Sequence, residues 1–322
     1  MNDFTAPTLV DVRAAAARIA PHATVTPVLT APALDELSGA RLFFKCEHLQ
    51  RGGAFKFRGA CNAVWSLSEA DAARGVVTHS SGNHGAALAL AAATRSIPAH
   101  IVVPEGAVAT KLANIQRAGG ILHRCAPTLA AREETCENVQ RETGAILVHP
   151  YADARVIAGQ GTVALELLRQ VPDLDAVVVP VGGGGLVSGC AIALRASSPS
   201  IDVIGAEPAG ADDAFRSLER GRRVTDVVSQ TICDGLRATI GEANFAMLSD
   251  HRVEVTTVED DATLAAMRLL WQELKQTIEP SSATVLAAVL SRRERFAGRR
   301  VGLVLSGGNV DLDAIAFLGA SA

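Results

Sequence analysis

Short runs of Val, Ile and Leu recur along the chain at 42–46, Val76-Val77-Thr78, Ile101-Val102-Val103, Ile121-Leu122, Ile146-Leu147-Val148, Val177-Val178-Val179, Val203-Ile204 and 301–305. Between them lie Ala- and Leu-rich stretches of helical pattern, such as 86–95 and 187–195. Strands that read as continuous apolar runs are buried on both faces, and intervening helices supply the crossovers a parallel sheet needs. The pattern predicts an α/β fold with parallel-rich sheets covered by helices. Four short βα units between Gly75 and Pro150 predict a small sheet of their own, while the rest of the chain builds a larger one. The expected organisation is a large domain from 1–74 and 150–322 with a small domain, 75–149, inserted in it. A cleft at the carboxyl ends of two such sheets is where α/β proteins place ligands.

Composition narrows the partners. The 322 residues are 48% hydrophobic and 20% charged, with a net charge of −4 and no dense Lys/Arg run, so a nucleic-acid partner is not expected. The apolar stretch 86–93 is far shorter than the ~20 residues that cross a bilayer. Asp3 and Asp11 interrupt the N-terminal region, so neither a span nor a secretory signal is expected. Six cysteines without a C-x-x-C pair read as the reduced thiols of a cytoplasmic enzyme.

Four clusters at strand ends carry the candidate chemistry. In Pro180-Val181-Gly182-Gly183-Gly184-Gly185-Leu186, glycines after an apolar strand and before a helix let main-chain amides turn inward to hold a phosphate. In His79-Ser80-Ser81-Gly82-Asn83-His84-Gly85, hydroxyls, an amide and free N–H groups at a helix start can seat a carboxylate. In Gly53-Ala54-Phe55-Lys56-Phe57-Arg58-Gly59, a lysine between two aromatics becomes a nucleophile toward aldehydes if apolar neighbours or the Arg58 cation lower its pKa. Leu305-Ser306-Gly307-Gly308-Asn309 offers one hydroxyl at the carboxyl edge of the last strand.

Together and in this order, these clusters resemble the serine/threonine dehydratase and serine racemase family, a branch of the tryptophan synthase β-like fold of pyridoxal-phosphate (PLP) enzymes. The likeness extends to Val156-Ile157-Ala158-Gly159-Gln160-Gly161-Thr162 and 304–311. It implies that Lys56 carries PLP as a Schiff base and moves the Cα proton of the substrate. Phe55 packs near the ring, Asn83 bonds its 3-hydroxyl oxygen, Gly182, Gly183, Gly184 and Gly185 take the phosphate, and Ser306 faces the pyridine nitrogen. A neutral hydroxyl there leaves the ring a weaker electron sink, which favours loss of a β-hydroxyl. Ser80, Ser81, Asn83 and His84 seat the substrate carboxylate, with Arg132 a cation on the opposite wall. Ser81 also matches the second acid/base of the family's racemases.

The resemblance further implies a divalent cation, Mg²⁺, Mn²⁺ or Ca²⁺, on the carboxylates of Glu207 and Asp213 and the carbonyl of Ala211. Ala86 and Ala118 stand where nucleotide-activated racemases carry glutamine and tyrosine, so activation by ATP is not expected. Ala238 replaces a serine that contacts substrate in the racemases. The sequence ends soon after Asn309, so isoleucine feedback through a C-terminal domain is not expected. The leading expectation is an L-threonine/L-serine ammonia-lyase, a homodimer yielding a 2-oxo acid and ammonia. The alternatives are a serine or aspartate racemase, a threo-3-hydroxyaspartate dehydratase using Arg132 or Arg237 for the extra carboxylate, and a non-catalytic metabolite-binding homologue.

Overall fold

The computed structural model describes residues 4–311; Asp3 lies outside them. Among the described residues ten strands form two sheets: β1 (Val28–Leu29), β2 (Arg41–Cys46), β3 (Val76–His79), β4 (Ala99–Pro104), β5 (Ile121–Cys125), β6 (Ile146–Leu147), β7 (Ala176–Pro180), β8 (Asp202–Pro208), β9 (Glu254–Val258) and β10 (Arg300–Leu305). The larger sheet has the order β1-β2-β10-β7-β8-β9 and the smaller β5-β4-β3-β6. Every pairing is parallel except that of β1 with β2. The α/β class read from the apolar runs is therefore the fold observed. Two strands carried no such signal: β1 has only two residues, and β9 is threonine-containing and half polar.

The smaller sheet uses only strands from 76–147, but its core reaches back in the chain. Phe57, Ala60, Cys61 and Val64 of the helix Lys56–Trp65 pack with Val76, Leu88 and Ile101. That helix also crosses the central helix Ala154–Gln170 with the backbones in contact. A Cβ on Gly159 would fall 2.6 Å from the Gly59 Cα. On another face, a Cβ on Gly189 of the helix Gly185–Ser197 would fall 2.4 Å from the Ile157 carbonyl oxygen. Only glycine permits both approaches. The central helix thus fixes the lysine-bearing helix and the glycine-loop helix relative to each other, which sets the site.

Behind Lys56 lies a buried charge network. The Arg58 guanidinium bonds both oxygens of Glu47 at 2.7 and 2.8 Å and both of Glu166 at 2.7 and 2.8 Å. Lys45 adds a 2.8 Å ion pair to Glu166. Two cations meet two carboxylates, so the cluster is neutral, and its hydrogen bonds offset the cost of burial.

Candidate active site

The strands that precede three of the four clusters are neighbours: β2, β10 and β7 lie side by side, so the lysine loop, the serine loop and the glycine loop open at one carboxyl edge. The first two are joined by an antiparallel bridge between Ala54 and Gly307. Phe55 N donates to the Ser306 carbonyl at 2.9 Å, and Gly308 N to the Gly53 carbonyl at 2.9 Å. The fourth cluster ends β3 in the other sheet and faces them. Asn309 Nδ2 donates to Asn83 Oδ1 at 3.0 Å, closing the site from both sheets.

Lys56 is half-buried and its amine donates to the Pro150 carbonyl at 3.0 Å, with the Phe55 ring centroid 5.1 Å away. Burial pushes its pKa down to about 8, against the pull of Glu279. An amine with that value is partly neutral near physiological pH and can attack a carbonyl. Arg58 does not cause this shift. Its guanidinium points away into the network, so desolvation is the perturber rather than the cation expected from the sequence.

Asn83 begins the helix Asn83–Thr94, and its Nδ2 donates to both oxygens of Glu279 at 3.1 Å. The amide is thereby held between Glu279 and Asn309. Ser80 and Ser81 precede that helix, and among the described residues neither hydroxyl has a hydrogen-bond partner. Free hydroxyls beside the unsatisfied N–H groups of a first helical turn are groups that can bind an anion. His84 is turned otherwise. Its Nε2 is 3.1 Å from the Val148 carbonyl, which can only accept, so Nε2 carries the proton. Burial holds the ring neutral, its pKa well below the usual value, and leaves Nδ1 without a partner. The side chain therefore offers an acceptor, and His84 can serve a carboxylate only through its main-chain N–H. Ser306 is buried, with its hydroxyl 3.1 Å from that of Ser282.

The glycine loop has the shape of a cradle. A Cβ on Gly182 would lie 2.9 Å from the Leu236 Cα, one on Gly183 2.5 Å from the Tyr151 ring, and one on Gly184 2.7 Å from the Asn244 Cβ. Gly184 also takes φ 91°, a left-handed conformation open to glycine, as it caps the helix Gly185–Ser197. Main-chain amides at a helix start, with no side chain in the way, fit a phosphate group.

The acidic loop places Glu207 and Asp213 together. Glu207 accepts from Ala214 N at 2.9 Å and Phe215 N at 2.8 Å, and Asp213 accepts from Ile240 N at 2.6 Å. Both are buried. Burial, then repulsion from Asp213 and Asp212, pushes Glu207 up to about 8, while burial, then repulsion from Asp212, raises Asp213 to about 6. Among the described residues no three His, Cys, Asp or Glu side chains are placed to hold a metal ion, so a metal here would need the Ala211 carbonyl and water as well.

Of the two arginines expected at the cleft, Arg237 donates from Nε to the Thr231 carbonyl at 3.0 Å and forms no salt bridge among the described residues. Arg132, half-buried, donates from Nε to the Thr128 carbonyl at 3.3 Å and forms no salt bridge among the described residues. It lies close enough to His79 to add to the burial that lowers that histidine's pKa.

Glu279 was missed in the sequence. It is 4% exposed, it contacts Asn83, and burial raises its carboxyl to about 7. Nothing in Glu279-Pro280, an ordinary helix start, marks it. Pro150, which takes the Lys56 amine, and Ser282, which holds Ser306, were likewise silent.

These features match known proteins along most of the chain. The family model described as "Pyridoxal-phosphate dependent enzyme" matches residues 19–307. A serine racemase of Arabidopsis thaliana is 51% identical, over 95% of this chain and 94% of that protein. A beta-hydroxyaspartate dehydratase of Paracoccus denitrificans is 49% identical, over 96% of this chain and 98% of its own. The structure of maize serine racemase superposes with a TM-score of 0.93 at 45% identity, covering 96% of this chain and 95% of that one. A match of this extent, on a chain with the tryptophan synthase β-like fold, shows that the protein belongs to the pyridoxal-phosphate-dependent enzymes.

Proposed function

We propose that the protein is a β-hydroxy amino acid dehydratase that favours a substrate with a second carboxylate, of the threo-3-hydroxyaspartate type. The observation that carries this reading is Arg132, a guanidinium close enough to His79, at the end of the strand that leads into the Ser80–Ser81 turn, to affect its pKa, and without a salt bridge among the described residues. A buried or half-buried cation left without a counter-ion is suited to an anionic ligand group. The 49% identity to a beta-hydroxyaspartate dehydratase supports the same choice over L-threonine or L-serine.

PLP, when bound, would supply the conjugated system that accepts the electron pair left at Cα. Gly182, Gly183, Gly184 and Gly185 would hold its phosphate, Asn83 its 3-hydroxyl oxygen, and Phe55 would pack on its ring. Ser306 would meet its nitrogen with a hydroxyl rather than a charge. Ser80, Ser81 and the N–H groups of Asn83 and His84 would orient the α-carboxylate. Lys56, its amine neutral, takes the Cα proton; the Cβ–O bond breaks, and the hydroxyl leaves with a proton as water. The enamine left behind hydrolyses to a 2-oxo acid and ammonia. Glu207, Asp213 and the Ala211 carbonyl would hold a divalent cation, whose charge would return both raised carboxyls to their ionised state.

A second reading, serine racemase, is favoured by the Ser81 hydroxyl, which has no partner among the described residues and would serve as the second acid/base, and by the Arabidopsis relative. One assay separates the two. The purified enzyme is given L- and D-serine, L-threonine and threo-3-hydroxyaspartate, with and without Mg²⁺, and 2-oxo acid and chirality are measured together. The dehydratase reading expects most 2-oxo acid from hydroxyaspartate and fails if serine epimerises faster than any substrate loses water. Borohydride followed by peptide mapping tests the role of Lys56, which should carry the reduced cofactor.

A further inference from the structure

The carbonyl of Gly183, inside the glycine loop, is held by two donors from one segment. Gly241 N donates to it at 3.2 Å, and Asn244 Nδ2 donates to it as well. The same Nδ2 donates to the Tyr151 carbonyl at 3.0 Å. Carbonyls only accept, so the Asn244 amide has one possible orientation, with its nitrogen toward both. The segment is anchored at its start, where Ile240 N donates to Asp213 at 2.6 Å, and Asn244 lies in the first turn of the helix Glu242–Asp250. Asn244 is 0% exposed, and its Oδ1 is buried without a partner. A buried acceptor left unmet is a cost that calls for a functional reason.

That reason lies in the next amide. The Gly183–Gly184 peptide is trans and planar, so the Gly184 N–H points opposite to the Gly183 C=O, away from Gly241 and Asn244. The N–H groups of Gly182, Gly183 and Gly184 have no hydrogen-bond partner among the described residues, although all three glycines are buried. Buried main-chain donors are nearly always paired, so three in succession without a protein acceptor are set for an anionic ligand. Glycine on both sides leaves the peptide between Gly183 and Gly184 free to flip. A flip would replace the Gly184 N–H with a carbonyl oxygen, which repels a phosphate.

We propose that Asn244 is a positioning residue: by holding the Gly183 carbonyl outward, it keeps the Gly184 N–H presented to the cofactor phosphate. The inference rests on the assignment of the glycine loop to that phosphate and is independent of which amino acid the enzyme takes.

Asn244→Leu keeps the shape of the side chain and removes the donor. Holoenzyme of wild type and variant is dialysed against graded PLP or, after exchange, against graded pyridoxal, which lacks the phosphate. Binding is read from the visible absorbance. The Kd for PLP should rise about 10- to 100-fold in the variant, the loss of one hydrogen bond to a charged group, while that for pyridoxal stays within about threefold. An equal rise for both, as a merely structural role would give, or no rise for PLP, overturns the proposal. If wild type binds PLP no better than pyridoxal, the assignment of the loop to the phosphate falls, and the proposal with it. Should Asn244→Leu not fold, Asn244→Ser, too short to reach both carbonyls, is dialysed in the same way with the same outcomes. Phosphorus NMR of the holoenzyme gives a second readout without turnover. The signal of bound PLP should move toward that of free PLP in the variant, and an unmoved signal overturns the contact.

Discussion

Lys45 and Lys56 lie on neighbouring elements and are both largely withdrawn from water, yet they are built for opposite chemistry. Lys45 donates to three acceptors, the Thr26 carbonyl at 2.8 Å, Glu166 at 2.8 Å and Gln170 Oε1 at 2.9 Å. Three acceptors match the three N–H bonds of an ammonium, and a neutral amine could satisfy only two. Lys56 has the Pro150 carbonyl alone and no carboxylate within ion-pair distance among the described residues. Burial pulls both pKa values down. At Lys45 the carboxylates of Glu47 and Glu166 push back, whereas at Lys56 only Glu279 does. Partner count, more than burial, separates a structural cation from a nucleophile.

Breaking the pair gives the largest effects. Lys56→Ala should leave a folded protein without the visible chromophore, its turnover down by ~10³-fold or more, the usual result of deleting a covalent nucleophile. Absorbance and 2-oxo acid release check this. Lys45→Met should do the reverse, keeping the chromophore but lowering stability in denaturant melts by about 3–5 kcal/mol, because Glu166 loses one of its two cations in a buried network.

Glu279 sharpens the comparison, since it is a buried carboxyl with an amide rather than a cation as its hydrogen-bond partner. Its value is raised from 4.5 to about 7. Between those pH values the unfolded chain has released the proton and the folded one retains it. Its stabilising contribution is therefore complete at low pH and is lost as pH rises to about 7. In the cofactor-free protein, Glu279→Gln should raise stability at pH ~8 by no more than ~3 kcal/mol and have little effect near pH ~4.5. Thermal melts across that range decide it. The smallest effect concerns Glu207 and Asp213. Mg²⁺ at a hundred times its Kd should stabilise the protein by about 2.7 kcal/mol, and Glu207→Gln should remove that gain.

How much of this was legible beforehand depended on sequence distance. The turns of the glycine loop and of Ser80–Ser81 were readable because each is a few consecutive residues at a strand end, where local sequence sets the backbone geometry. Lys56 was marked by its flanking motif. Its state was not, because Pro150 is 94 residues away and the expected perturber, Arg58, is held by Glu166, 108 residues on. The orientation of His84 depended on Val148, and that of Arg237 on the Thr231 carbonyl.

The sequence alone determined the α/β class, the positions of most apolar strands along the chain and the motifs at their ends, because periodicity and turn chemistry are local properties. Only the tertiary structure decided which charges found partners. Asn83 meets Glu279 across 196 residues, and Lys45 meets Glu166 across 121. Contacts of that range form when the sheets and the central helix bring loops together, and the electrostatics of a buried group is fixed by whatever then stands within a few ångströms.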